Sequence, residues 1–166
     1  MPLLEHKTQE ELIAVLKEDG CALGDIKHPT NEMCRIAVQQ NGFAIQYVPE
    51  QIEEYCLLAL EEDPFSLKYI SKQTESVCLK AVKKNGHALK FVQEQTEEIC
   101  LAAVKQTWEA LQFVERQTEN ICLAALDNNP NAIKFIYIKS EKVMLRAVNI
   151  TGHHLKYAEK QTKELC

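Results

Sequence analysis

The chain has 166 residues, of which 46% are hydrophobic and 26% charged, a mixture that supports a folded core and excludes a disordered polymer. A net charge of −5 argues against nonspecific phosphate binding as the main activity. No apolar run nears the roughly 20 residues of a bilayer span, so no membrane association is expected.

The N-terminal stretch "MPLLEHKTQEEL" leaves no room for a secretory core. With an odd count of seven cysteines, this predicts free thiols and a cytoplasmic location. Residues 1–66 hold four basic and thirteen acidic side chains and residues 67–166 fifteen and eleven, so charge is polarised along the chain.

The cysteines also set a ruler. Cys34, Cys56, Cys78, Cys100, Cys122 and Cys166 stand 22 residues apart or at a multiple of 22, with Leu12 and Met144 in the remaining slots. A constant period of this length marks tandem supersecondary units. The units run 8–29, 30–51, 52–73, 74–95, 96–117, 118–139 and 140–161, with a partial eighth at 162–166, all in a single repeat domain.

Each unit is predicted to open with a hydroxyl N-cap four residues before the anchor: Thr8, Thr30, Thr74, Thr96, Thr118, Ser140 and Thr162, with Ile52 the exception. Glutamates follow at the positive end of the helix dipole, as at Glu32, Glu54, Glu75, Glu97, Glu98, Glu119 and Glu141. Apolar residues then recur on one face, as in Ile99, Cys100, Ala103 and Val104. That gives a first helix of about ten residues, with alanine at the closest approach of neighbouring units.

A second cap type stands seven residues after the anchor, at Asp19, Asn41, Asp63, Asn85, Thr107, Asn129 and Thr151. Pro64 and Pro130 suit the first helical position, and Gly20, Gly42, Gly86 and Gly152 are expected to permit the turn. The second helix is expected to be about seven residues, with an aromatic slot (Tyr47, Tyr69, Phe91, Phe113, Phe135, Tyr157) in the core. The first unit has Gly24 and Asp25 where later ones have a polar residue and an aromatic, as expected of a capping unit. Helices this short do not persist alone, since isolated ones need roughly 12–15 residues. The fold class that follows is an all-α solenoid of about seven 22-residue two-helix repeats.

The in-phase pattern L-x-A-V-x-x-N-G-x-A-L-x-(Y/F)-V is carried by "LKAVKKNGHALKFV" at 79–92 and, in variant form, by "RIAVQQNGFAIQYV" at 35–48. It resembles a family of tandem helical repeats of unknown function found in bacterial, phage and giant-virus proteins. The resemblance covers residues 8–161 and implies a helical repeat protein in a microbial or viral setting, with a role against a host. It brings no catalytic residues. Units around Trp108 and Pro130 depart from its Asn-Gly turn.

Chemistry has little support in these residues. Equivalent positions of stacked units should lie about 8–10 Å apart. That is too far for a disulfide, whose Cα atoms sit within about 7 Å, or for thiolates sharing a zinc ion. The cysteine ladder therefore reads as small buried hydrophobes. No G-x-S-x-G, H-E-x-x-H, P-loop or C-x-x-C is present, so neither an enzyme, a cofactor nor a metal site is expected.

The expected activity is binding to another protein. The candidate surface is the polar stripe before the aromatic slot, Gln46, Lys68, Lys90, Gln112, Lys134 and Lys156, with His87, Glu109 and His153 beside it. The alternative is nucleic-acid binding through the lysines of the C-terminal half, which a steep salt dependence would reveal.

Overall fold

The computed structural model describes residue 4 and residues 6–150. Each repeat opens with a ten-residue α-helix: α1 (Gln9–Glu18), α2 (Asn31–Gln40), α3 (Glu53–Glu62), α4 (Glu75–Lys84), α5 (Glu97–Gln106), α6 (Glu119–Asn128) and α7 (Glu141–Ile150). The second helix is a six-residue 3-10 helix, tighter and slightly shorter than expected: η1 (Gly20–Asp25), η2 (Gly42–Tyr47), η3 (Pro64–Tyr69), η4 (Gly86–Phe91), η5 (Trp108–Phe113) and η6 (Pro130–Phe135). No strand occurs among the described residues, and the fold is an all-α tandem repeat.

The caps explain both lengths. The hydroxyls of Thr8, Thr30, Thr74, Thr96, Thr118 and Ser140 accept from the backbone N–H three residues on, and Glu11 returns a bond to Thr8 to complete a capping box. Ile52 has no such bond. The side chains of Asp19, Asn41, Asp63, Asn85 and Asn129 accept from the N–H two residues on, an Asx turn that commits the chain to tight i to i+3 bonding. Thr107 departs from the predicted capping role: its hydroxyl donates to the Glu109 carboxylate.

The chain divides into two compact units, Met1–Lys84 with Phe91–Gln93, and Asn85–Lys90 with Glu94–Cys166. In the first, α1, α2, α3 and α4 pack in sequence, η1 packs on η2 and η2 on η3, and each of these 3-10 helices rests on the α-helix of the next repeat. The second repeats the scheme with α5, α6 and α7 and with η5 on η6.

The core is made of the same rungs in both units. The anchor cysteines from Cys34 to Cys122 and the alanines Ala37, Ala59, Ala81, Ala103, Ala125 and Ala147 are buried. So are Leu60, Leu67, Leu89, Leu111 and Leu126, each stabilising its layer by roughly 1.5–3 kcal/mol.

Glycine proves to be required for contact rather than for the turn. No described residue has a positive φ, so the turns themselves demand no glycine. A Cβ on Gly20, Gly42 or Gly86 would instead collide with the carbonyl oxygen of Ala37, Ala59 or Ala103 in the following repeat. Each small residue of the pair makes room for the other. Gly20 and Gly86 also donate their N–H to Gln40 Oε1 and Gln106 Oε1, at 2.7 Å in both cases.

The aromatic slot differs from expectation as well. Tyr69, Phe91, Phe113 and Phe135 are half-buried and Tyr47 is 41% exposed, so these rings edge the core rather than fill it. Each meets a side chain near the start of the preceding 3-10 helix: Phe43 with Tyr69 and Phe65 with Phe91 edge to face, His87 with Phe113 likewise, and Trp108 stacked on Phe135 at 5.7 Å. Gly24 leaves space for the Tyr47 ring, which a Cβ would meet at 2.8 Å.

The glutamine that precedes the N-cap position, in "QI" at 51–52 and in the recurring "QT" at 73–74, 95–96 and 117–118, forms a clasp. Gln51 Nε2 donates to the Ile45 and Tyr69 carbonyls, both at 2.9 Å, while its Oε1 accepts from the Ser71 N–H at 2.9 Å. Gln73 does the same with Phe91 and Gln93, Gln95 with Phe113 and Glu115, and Gln117 with Phe135 and Tyr137. The carboxamide, which resembles a peptide group, satisfies backbone groups freed where each 3-10 helix ends. The thiols of Cys78, Cys100 and Cys122 donate to the Oε1 of Gln73, Gln95 and Gln117 at 3.5–3.7 Å. The cysteine rung is thus polar-satisfied as well as small. Burial, first, and nearby Glu97, Glu115 or Glu119 push Cys100 and Cys122 up to about 11, so both are protonated at neutral pH.

Candidate partner-binding surface

The stripe residues lie on the 3-10 helices, each at the fifth of six positions. Gln46 and Lys68 are exposed in the first compact unit, and Lys90, Gln112 and Lys134 in the second. This position faces away from the leucine or isoleucine one residue earlier, buried at Ile45, Leu67, Leu89 and Leu111 and half-buried at Ile133, because a three-residue turn sends adjacent residues to different faces. His153 and Lys156 lie outside the described residues.

Local bonds hold part of the stripe in place. Gln46 Nε2 donates to the Phe43 carbonyl at 3.1 Å and Gln112 Nε2 to the Glu109 carbonyl at 2.9 Å. Lys68 Nζ stands 5.4 Å from the Tyr69 ring centroid, a cation–π distance. In the second unit the structure brings together His87, Glu109 and Phe113. His87 Nδ1 lies 3.3 Å from Asn85 Oδ1, and its ring meets the Phe113 edge at 6.0 Å. The Thr107 hydroxyl, chiefly, and the charge of His87 hold the Glu109 carboxyl below its ordinary value.

Part of the predicted acidic edge, Glu54, Glu97 and Glu119, bridges neighbouring repeats. Glu97 accepts from the Thr118 hydroxyl, Glu119 from the Ser140 hydroxyl and Lys142, and Glu54 pairs with Arg35 at 2.5 Å. The ion pairs Glu54–Arg35 and Glu119–Lys142 are exposed and each contributes little, about 0–1 kcal/mol.

Two features escaped the sequence reasoning. One is the glutamine clasp, whose signal was the Gln before Ile52, Thr74, Thr96 and Thr118. The other is a leucine row on the outer face of the α-helices, half-buried at Leu57 and Leu79 in the first unit and at Leu101 and Leu123 in the second, and 54% exposed at Leu145. An open groove of about 670 Å³ runs between α6 and α7 over Leu123 and Leu145. A smaller hollow of about 270 Å³ lies near Gln95, Cys100 and Gln117. Among the described residues no three His, Cys, Asp or Glu side chains are gathered to hold a metal ion, and no helix is long and apolar enough to cross a membrane.

Rows of short helical hairpins joined by side-chain clasps define a tandem helical-repeat protein. Two consecutive copies of the domain of unknown function DUF4116 match residues 52–95 and 96–140, and the chain belongs to this family. Each copy takes in two of the 22-residue repeats: α3 through η4, then α5 through η6. No match was found among curated proteins or among solved structures.

Proposed function

We propose that the chain is a non-enzymatic scaffold that binds another protein through the stripe on its 3-10 helices. The observation that carries this reading is the contrast between adjacent positions: Ile45, Leu67, Leu89 and Leu111 are fully buried, while Gln46, Lys68, Lys90 and Gln112 next to them are exposed. Exposed side chains standing on a packed, clasped backbone reach a partner with little ordering entropy to lose. Stacked repeats commonly bind through such extended faces.

The setting we infer is cytoplasmic, consistent with thiols held unpaired in five successive rungs, Cys34 to Cys122. The partner we infer is a component of a host cell, which rests on the family resemblance alone.

The test is affinity capture from host lysate, with mass spectrometry, using the chain and a variant in which Lys68, Lys90, Lys134 and Lys156 are all changed to Glu. The expected result is a protein retained by the first bait and lost from the second, with equal melting temperatures for both. Retention of nucleic acid that nuclease removes, together with all bound protein, would replace this reading with the nucleic-acid one. Identical capture by both baits would move the surface elsewhere.

A further inference from the structure

The residues at the fifth position of the 3-10 helix narrow the chemistry of the partner. The chain carries 24 acidic and 19 basic side chains, yet in the described 3-10 helices this position is Gly24, Gln46, Lys68, Lys90, Gln112 and Lys134, with no acid among them. We propose that in the second compact unit the face bearing Lys90, Gln112 and Lys134 takes an extended acidic segment of a partner protein. This inference rests on the scaffold function proposed above.

Charge complementarity is the first support. Glu109, the acid beside this face, is half-buried, takes the Thr107 hydroxyl and lies within the field of His87. Against this one carboxylate stand two lysines of the face, Lys90 and Lys134, both exposed. The net field offered outward is cationic, and a carboxylate-bearing segment complements it.

Apolar contacts give the second. The half-buried rings of Phe113 and Phe135 directly follow Gln112 and Lys134 and are braced by His87 and Trp108. A braced aromatic edge beside a cation suits a segment that alternates carboxylates with apolar side chains.

Spacing fixes the pattern. Stacked helices advance about 10 Å per repeat, and a polyproline-like segment rises about 3.1 Å per residue with three residues per turn. One turn of such a segment therefore spans one repeat. Acidic residues six apart would meet Lys90 and Lys134, with the residue midway over Gln112.

A polynucleotide fits this face less well. The chain as a whole is negative, and the rings are already paired with neighbours rather than open to stack bases.

The test uses the full chain and fluorescence anisotropy. The probes are a labelled 15-residue peptide with Glu at every third position among Pro, Ser and Leu, its counterpart with Lys in place of Glu, and a 15-nucleotide oligo-dT. The Glu peptide is expected to bind at least tenfold more tightly than the Lys peptide and than oligo-dT. The double variant Lys90→Glu/Lys134→Glu should lose at least tenfold, and Lys90→Gln/Lys134→Gln an intermediate amount. Lys105→Glu, on the α5 helix, should leave binding unchanged, with circular dichroism confirming that all variants fold.

Equal binding of both peptides, equal loss in the Lys105 variant, absence of Glu-peptide binding at low salt, or tighter binding of oligo-dT would each overturn the inference. Should lysate capture yield a protein that the Lys90/Lys134 variant still retains, the acidic-segment chemistry fails while the scaffold function stands.

Discussion

Repeats that open their second helix with glycine and repeats that open it with a side chain solve the same packing problem in different ways. At Gly20, Gly42 and Gly86 the backbone comes into contact with the alanine carbonyl of the next repeat. At Pro64, Trp108 and Pro130 a side chain occupies that position. The cap residues stay extended in both kinds of repeat: ψ is 98° at Asp19 and 113° at Asn41 before glycine, and 117°, 130° and 128° at Asp63, Thr107 and Asn129 before the bulkier residues. The repeat tolerates such exchange because its clasps and caps reach around the contact rather than through it.

The comparison predicts unequal responses to mutation. The largest effect is expected for Gly86→Ala, whose new Cβ meets a backbone oxygen that cannot rotate away. A loss of about 3 kcal/mol is expected in chemical denaturation. The reverse exchange, Pro64→Gly, should cost only about 0.4–1 kcal/mol, through greater freedom of the unfolded chain. Similar losses from the two substitutions would remove the distinction between the steps.

A middle-sized effect is expected at the residue that answers the glycine N–H. Gln106→Ala leaves the Gly86 N–H buried without its acceptor, at roughly 1–3 kcal/mol. Asn128→Ala, at the equivalent position facing Trp108, removes an exposed bond to the Lys105 carbonyl and should cost less. Paired melts of the two variants decide the order.

The smallest effect concerns acid. Glu109 is held below its ordinary value by the Thr107 hydroxyl first and His87 last, so its contribution to stability is complete above the ordinary carboxylate value and is lost as pH falls through the lowered one. Thr107→Val should raise the Glu109 titration toward 4.5 in an NMR pH series and flatten the acid side of the stability curve slightly. An unmoved titration would show that the hydroxyl does not hold the carboxylate.

Much of this fold was legible because its determinants are local. The cap hydroxyls, the Asx turns and the 22-residue phase each act within a few residues of one another, so counting from Cys34 located all the described helices to within a residue or two. The role of Gly42 was not legible, because the oxygen it approaches belongs to Ala59, 17 residues later and in another layer. The same holds for Gln117, whose partners at Phe135 and Tyr137 are 18 and 20 residues away. The stripe of Gln46, Lys68, Lys90, Gln112 and Lys134 was legible as a periodic polar position; the ring pairs beside it were not, since Phe65 and Phe91 stand 26 residues apart.

By itself the sequence determined that this chain repeats, where each helix begins and which residues are small, because capping and periodicity are read out over single turns. Tertiary structure alone decided that the aromatic rings stand at the edge of the core and that glutamine binds one layer to the next. Those outcomes depend on which surfaces of neighbouring repeats meet, and short helices acquire their final geometry only when that contact is made.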